Sequence, residues 1–147
     1  LNELNIALRR FNQSYSRKLP EDRIIDLTIA LESILLSAEN NELQHKLSTR
    51  GARLLKNERD PLDTRALLKL IYTLRSAIVH EGLDLSAPRK SIKKEIRKYD
   101  ENLPPTKMAS VCENLVRAII LQYMGRLQSK NSVQEINQLI DNNMITL

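Results

Sequence analysis

The stretch Asp60-Pro-Leu-Asp-Thr-Arg-Ala-Leu-Leu-Lys-Leu-Ile-Tyr-Thr-Leu-Arg-Ser-Ala-Ile-Val-His-Glu-Gly82 decides the fold class. Asp60 can cap a helix, and Pro61 suits the first helical position because it has no amide proton to leave unpaired. Asp63 complements the positive end of the helix dipole. Leu67, Leu70, Ile71, Leu74, Ala77 and Ile78 then recur at helical spacing, and Gly82 supplies a left-handed stop. The segment reads as one long amphipathic helix ending near Glu81. On a wheel turning about 100° per residue, Arg65, Lys69, Thr73, Ser76 and His80 lie on the other face. Arg75 breaks this division. It falls between Ile71 and Leu68, in an apolar sector where a guanidinium needs a carboxylate, a phosphate or a partner chain.

The same signals extend in both directions. On the N-terminal side, helices are expected over residues 2–13, 20–37 and 42–56. Pro20, Glu21 and Asp22 open the second, and a polar break at 38–41 follows it. On the C-terminal side, a loop at 83–87 leads to a helix opened by Pro88 and ending at Tyr99. Pro104 and Pro105 force a break, and a long helix spans 106–127. Ser132 and Glu135 have capping-box spacing, so a last helix should run over 132–142. Strand-like alternation, internal repeats and low-complexity tracts are all missing. The expectation is an all-α bundle of about six to seven helices, forming a single domain over residues 1–147.

Composition narrows the function classes. Hydrophobic residues at 41% and charged residues at 28% argue against a disordered chain. One Phe, four Tyr and no Trp leave the core to aliphatic residues and argue against a surface of stacked bases. The single cysteine, Cys112, excludes an internal disulfide and a Cys-cluster zinc site. It recurs with Met108, Leu115 and Ile119 at helical spacing, the pattern of core packing. His45 lies in a polar stretch with no ligand set nearby, so no metal site is expected. With no Gly-rich phosphate loop and no Ser-His-acid grouping, no cofactor is expected either. No apolar run approaches the roughly 18 residues of a membrane span, and no signal peptide is visible. The single cysteine fits a reducing compartment, so a cytoplasmic location is expected. The chain begins with Leu1 rather than Met, so it is expected to be a piece of a longer polypeptide, with room for additional domains. The net charge of +5 suits an acidic partner such as nucleic acid, or simply a solvated basic surface.

Two further helices carry unusual residues. In the second, Ile24, Leu27, Leu31, Ile34 and Leu35 form an apolar arc that Ile25, Ile29 and Leu36 widen. Asp22, Arg23, Asp26, Ser33 and Ser37 take the opposite side, so the helix should be central. Glu32 falls inside the arc. An unpaired buried carboxylate costs several kcal/mol, so Glu32 should be paired or protonated, with Arg50, Arg53 or Arg75 as partner. It is either an ion pair of the bundle or a residue that positions a working arginine. In the fifth helix, Arg89, Lys90, Lys93, Lys94, Arg97 and Lys98 occupy one half, and Ile92, Ile96 and Tyr99 the other. The basic half is either a track for an RNA backbone or a solvated helix face. Tyr99 lies on the packing side.

His80 lies about 140° around its helix from Arg75. Taken alone it is a positive group that suits the C-terminal end of a helix dipole. Convergence with Arg75 would need a distorted helix end or a second copy across a symmetric interface.

Three segments together are more specific: Glu21-Asp-Arg-Ile-Ile-Asp-Leu-Thr-Ile-Ala-Leu-Glu32-Ser, Leu47-Ser-Thr-Arg50-Gly-Ala-Arg53-Leu-Leu, and Ile71-Tyr-Thr-Leu-Arg75-Ser-Ala-Ile-Val-His80-Glu-Gly82. In this order, over roughly the first two-thirds of the chain, they resemble the Apea-like branch of the HEPN domain superfamily. The resemblance implies a helical bundle that is often a homodimer. Many HEPN domains are metal-independent endoribonucleases of toxin or phage-defence systems, abortive infection included, with Arg and His lining a cleft between protomers. On that resemblance His80 handles a proton while a ribose hydroxyl attacks the adjacent phosphate, and Arg75 stabilises the developing charge. Glu32 and Ser76 would support them. Two positions depart from the family. Ser76 stands where active members often carry Asn, Asp or His, and Gly82 where members paired with nucleotidyltransferase antitoxins often carry Tyr. Some HEPN domains are non-catalytic, so a second function stays open: an RNA-binding or dimerisation module of a larger defence protein.

Overall fold

Prolines and caps place the helix starts. The computed structural model describes residues 2–128 and 132–142. Among the described residues there are seven α-helices and no strand: α1 (Asn2–Ser14), α2 (Pro20–Leu35), α3 (Leu43–Leu54), α4 (Pro61–Glu81), α5 (Lys90–Tyr99), α6 (Met108–Leu127) and α7 (Val133–Asp141). The Asp60 carboxylate accepts from the Asp63 amide at 3.1 Å, ahead of Pro61 at the start of α4. The Ser132 hydroxyl accepts from the Glu135 amide at 3.1 Å and opens α7. Gly82 closes α4 at φ +64°, a conformation that costs glycine nothing.

Four boundaries differ from the expected ones by two residues, one of them the end of α3, at Leu54 rather than Lys56, where Leu55 leaves helical geometry. Helix α2 stops at Leu35 rather than near Ser37, because Leu36 leaves helical geometry and the Leu35 carbonyl accepts from Arg50. Helix α5 starts at Lys90 rather than Pro88. Arg89 is extended, and its carbonyl takes the first helical amides. Helix α6 starts at Met108, since the proline pair leads into a short 3-10 turn, Pro105–Lys107.

Helix α2 sits at the centre and packs on α1, α3, α4 and α6. Its Ile24, Leu27, Ala30, Leu31, Ile34 and Leu35 are buried, as are Leu67, Leu68, Ile71 and Leu74 of α4 and Leu115, Val116 and Ile119 of α6. Cys112 is buried in the same core, and burial pushes its thiol up to about 12, so it packs rather than reacts. Of the polar side expected for α2, only Asp22 is exposed to solvent. Helix α1 covers much of that side, and Asp26 is only 2% exposed. The Asp26 carboxylate is satisfied by Arg17 at 2.7 Å and Arg10 at 3.4 Å. Arg23 donates to Glu113 of α6 at 2.7 Å.

Helix α7 is held by polar contacts as well as by Val133, Ile136 and Ile140. Buried Asn137 donates to the Ile34 carbonyl at 2.8 Å and accepts from the Tyr123 hydroxyl. Arg50 of α3, 3% exposed, binds both carboxylate oxygens of Asp141 at 2.8 Å and Glu39 at 2.9 Å. Arg53 donates to the Asp141 carbonyl at 2.9 Å. At Gly51, the residue after Arg50, α3 and α4 approach closely: a β-carbon there would collide with Leu68 Cδ1.

Arg50→Ala should therefore cost about 2 to 3 kcal/mol in urea unfolding, because it leaves the buried Leu35 carbonyl unpaired and removes the charged bonds to Asp141 and Glu39, and Arg50→Lys should recover less than half of that. Gly51→Ala should lower stability by about 1 kcal/mol net, since overpacking against Leu68 outweighs the gain in helix propensity.

Candidate functional site

The length of α4 creates the site. At 21 residues it spans about 31 Å, against about 18 Å for the 12 residues of α3. The two helices run antiparallel. Ala52 and Arg53 of α3, with Lys56 just past its end, face Pro61, Leu62 and Arg65 at the start of α4, and Gln44 reaches the Lys69 carbonyl at 3.4 Å. Helix α3 thus begins opposite the middle of α4, and the last turns of α4 keep an open face. Tyr72, Arg75 and Ser76 are half-buried there, and Val79 and His80 are exposed.

The Arg75 and Glu32 side chains meet at this face, with Nε 3.4 Å from Oε1. Both atoms are shielded from water, and neither makes a hydrogen bond among the described residues. Burial pushes the Glu32 carboxyl above its usual range, and the nearby guanidinium offsets part of that rise. Of the three arginines considered for Glu32, only Arg75 reaches it. Arg50 is committed to Asp141 and Glu39, and Arg53 to the end of α7. The Arg75 side chain is 31% exposed and has no second carboxylate among the described residues, so most of its donors remain available.

His80 is not brought to this pair. It lies on the other flank of the open face, with the 51% exposed Val79 between the two. It makes no hydrogen bond or ion pair among the described residues, and the end of α4 is closed by backbone bonds from Gly82 and Leu83 instead. A single chain therefore supplies a positioned guanidinium and an accessible imidazole, pointing in different directions.

The basic helix divides into two kinds of residue. Arg89 is bound to Glu81 and donates to Ser91 at 2.7 Å, so its charge is neutralised locally. Lys90, Lys93, Lys94, Arg97 and Lys98 are exposed and meet no carboxylate within bonding range among the described residues. Ile92 and Ile96 are buried beneath them. Tyr99 packs half-buried, as expected, and its hydroxyl donates to Asp63 at 3.1 Å. Burial first, and Asp63 second, push the phenol up to about 12.

A slot between α4 and α5 was not anticipated. It encloses about 360 Å³ and includes Lys69, Thr73, Lys98 and Tyr99 in its lining. The available signal was the placement of Lys69 and Thr73 on the same stripe of the fourth helix as His80. Among the described residues no cluster of three or more His, Cys, Asp or Glu could hold a metal ion, and no helix is long and apolar enough to cross a membrane. No family model, curated protein or solved structure matches the chain.

Glu32→Gln tests the electrostatics of the pair. A carboxyl whose folded pKa is raised subtracts stability above that pKa, and the penalty fades as pH falls towards the ordinary value. At pH 7 Glu32→Gln should melt no lower than wild type, and any gain should vanish by about pH 4. A loss of melting temperature at pH 7 would mean that attraction to Arg75 outweighs burial.

Proposed function

We propose that this chain is a HEPN-like, metal-independent endoribonuclease domain that cuts RNA phosphodiesters at a cleft completed by a second copy. The observation that carries the reading is the open end of α4, where Arg75 is oriented by Glu32 and His80 stands free, within the segment that resembles the family. In the proposed reaction neutral His80 accepts the proton of a ribose 2′-hydroxyl as its oxygen attacks the adjacent phosphorus. The new O2′–P bond forms as the P–O5′ bond breaks, and a protonated imidazole returns the proton to the leaving oxygen. The products are a 2′,3′-cyclic phosphate and a 5′-hydroxyl. Arg75 stabilises the charge on the non-bridging oxygens, and Glu32 is its counter-ion on the Nε side. A symmetric partner would set the His80 of one copy against the Arg75 of the other, with exposed Val79 near the centre of the contact. Lys90, Lys93, Lys94, Arg97 and Lys98 would bind the RNA backbone. The resemblance supports a role in toxin or phage-defence systems, which goes with a cytoplasmic location.

Ser76, and the separation of Arg75 from His80 within one chain, favour a second reading: an RNA-binding or dimerisation module without catalysis. Incubation with labelled RNA in EDTA separates the two. The nuclease reading expects cyclic-phosphate products, with His80→Ala and Arg75→Ala each slowing cleavage by about 100-fold or more. Mixing the two variants should restore up to about a quarter of the activity, because half the dimers would then hold one intact composite site. RNA binding without cleavage, unchanged in His80→Ala, would select the binding module.

A further inference from the structure

Helices α4 and α5 form an antiparallel pair. Tyr99 bonds Asp63 near the start of α4, and Arg89 bonds Glu81 at its end. Ile92 and Ile96 are buried on the inner side of α5, and the slot lies beside them. Ala66, Leu70 and Tyr99 supply apolar lining. Lys69 on α4 and Lys98 on α5 supply a cation to each wall, and Thr73 adds a hydroxyl. Glu95 is the one acid in the lining among the described residues. At about 360 Å³ the slot is the size of a small-ligand pocket, enough for one nucleotide and too small for a duplex.

Two continuities connect the slot to the rest of the surface. Lys98 also belongs to the outer basic row of α5, with Lys90, Lys94 and Arg97. Lys69, Thr73, Ser76 and His80 are successive positions on one stripe of α4, and Lys69 is about 16 Å from His80 along the axis. A strand seated in the slot would thus lead to the imidazole.

We propose that the slot is a nucleotide subsite for single-stranded RNA, in which one phosphate lies between Lys69 and Lys98 and its base rests on Ala66, Leu70 and Tyr99. The proposal rests on the RNA reading above and adds Lys69 as a contact that α5 alone does not provide. The occupant follows from the lining: paired cations suit a phosphate, and a small apolar floor suits a base.

The test is fluorescence anisotropy with a 2′-O-methyl oligonucleotide of about ten nucleotides, which lacks the attacking hydroxyl, so binding is read apart from cleavage. Lys69→Glu and Lys98→Glu should each weaken binding about tenfold and lower the salt slope by about one. Glu95→Gln should tighten binding about twofold by removing a repulsion. Lys56→Glu, the same charge change in the turn after α3 and outside the slot, serves as the control and should leave affinity nearly unchanged. Both slot lysines are exposed, so melting temperatures should match wild type. The slot is overturned if Lys69→Glu weakens binding no more than Lys56→Glu, or if an RNA duplex or polyglutamate binds as tightly as the single strand. If wild type binds the oligonucleotide and Lys69→Glu changes nothing, the slot fails and the RNA reading stands. If wild type binds no oligonucleotide at low salt, both fail.

Discussion

The guanidinium of Arg50 joins parts of the chain that are far apart in sequence. From α3 it binds the last carbonyl of α2, Glu39 in the following loop and Asp141 of α7. An arginine cannot shed its charge when buried, so each acceptor has to be in place before the core can close around it. Its bonds to Asp141 and Glu39 hold its proton more firmly than usual, despite burial. The same contact marks where α2 ends. Glu32 lies one turn before that end, and its carbonyl receives the final helical amide, from Leu36.

Arg50 and Arg75 show two uses of one side chain. Arg50 has its hydrogen-bonding capacity filled by carboxylates and a carbonyl, and it holds the fold together. Arg75 has a single 3.4 Å ion pair with a carboxylate that burial has already weakened as an anion. A guanidinium left so under-used at an open helix end is suited to an incoming phosphate. The α5 row follows the same logic. Arg89 is spent on Glu81, while the lysines beside it are not.

Helix number and type were legible because proline, Asp60, Ser132 and Gly82 punctuate the sequence at fixed positions. The end of α2 and the start of α5 were not, because a long-range arginine and an extended cap residue decide them. Glu32 was recognisable as an acid in need of an arginine, but a wheel cannot choose among three that lie far away in sequence. Asp26 was assigned to a polar side, correctly by pattern, yet the pattern holds no information that α1 covers it. Lys69 was visible as a polar residue of the fourth helix. Its place in the slot arises only when α5 folds back beside it, which no local spacing encodes.

The capped ends of α4 constrain how such a chain can vary. Asp60 and Gly82 mark the beginning and end of the helix, and both are held by their own backbone geometry. Between them the residue count acts as a phase. Substituting any exposed position alters one side chain, whereas deleting a single residue ahead of His80 turns it by about 100° away from its stripe. Drift in composition is therefore tolerable along much of this helix, and drift in length is not.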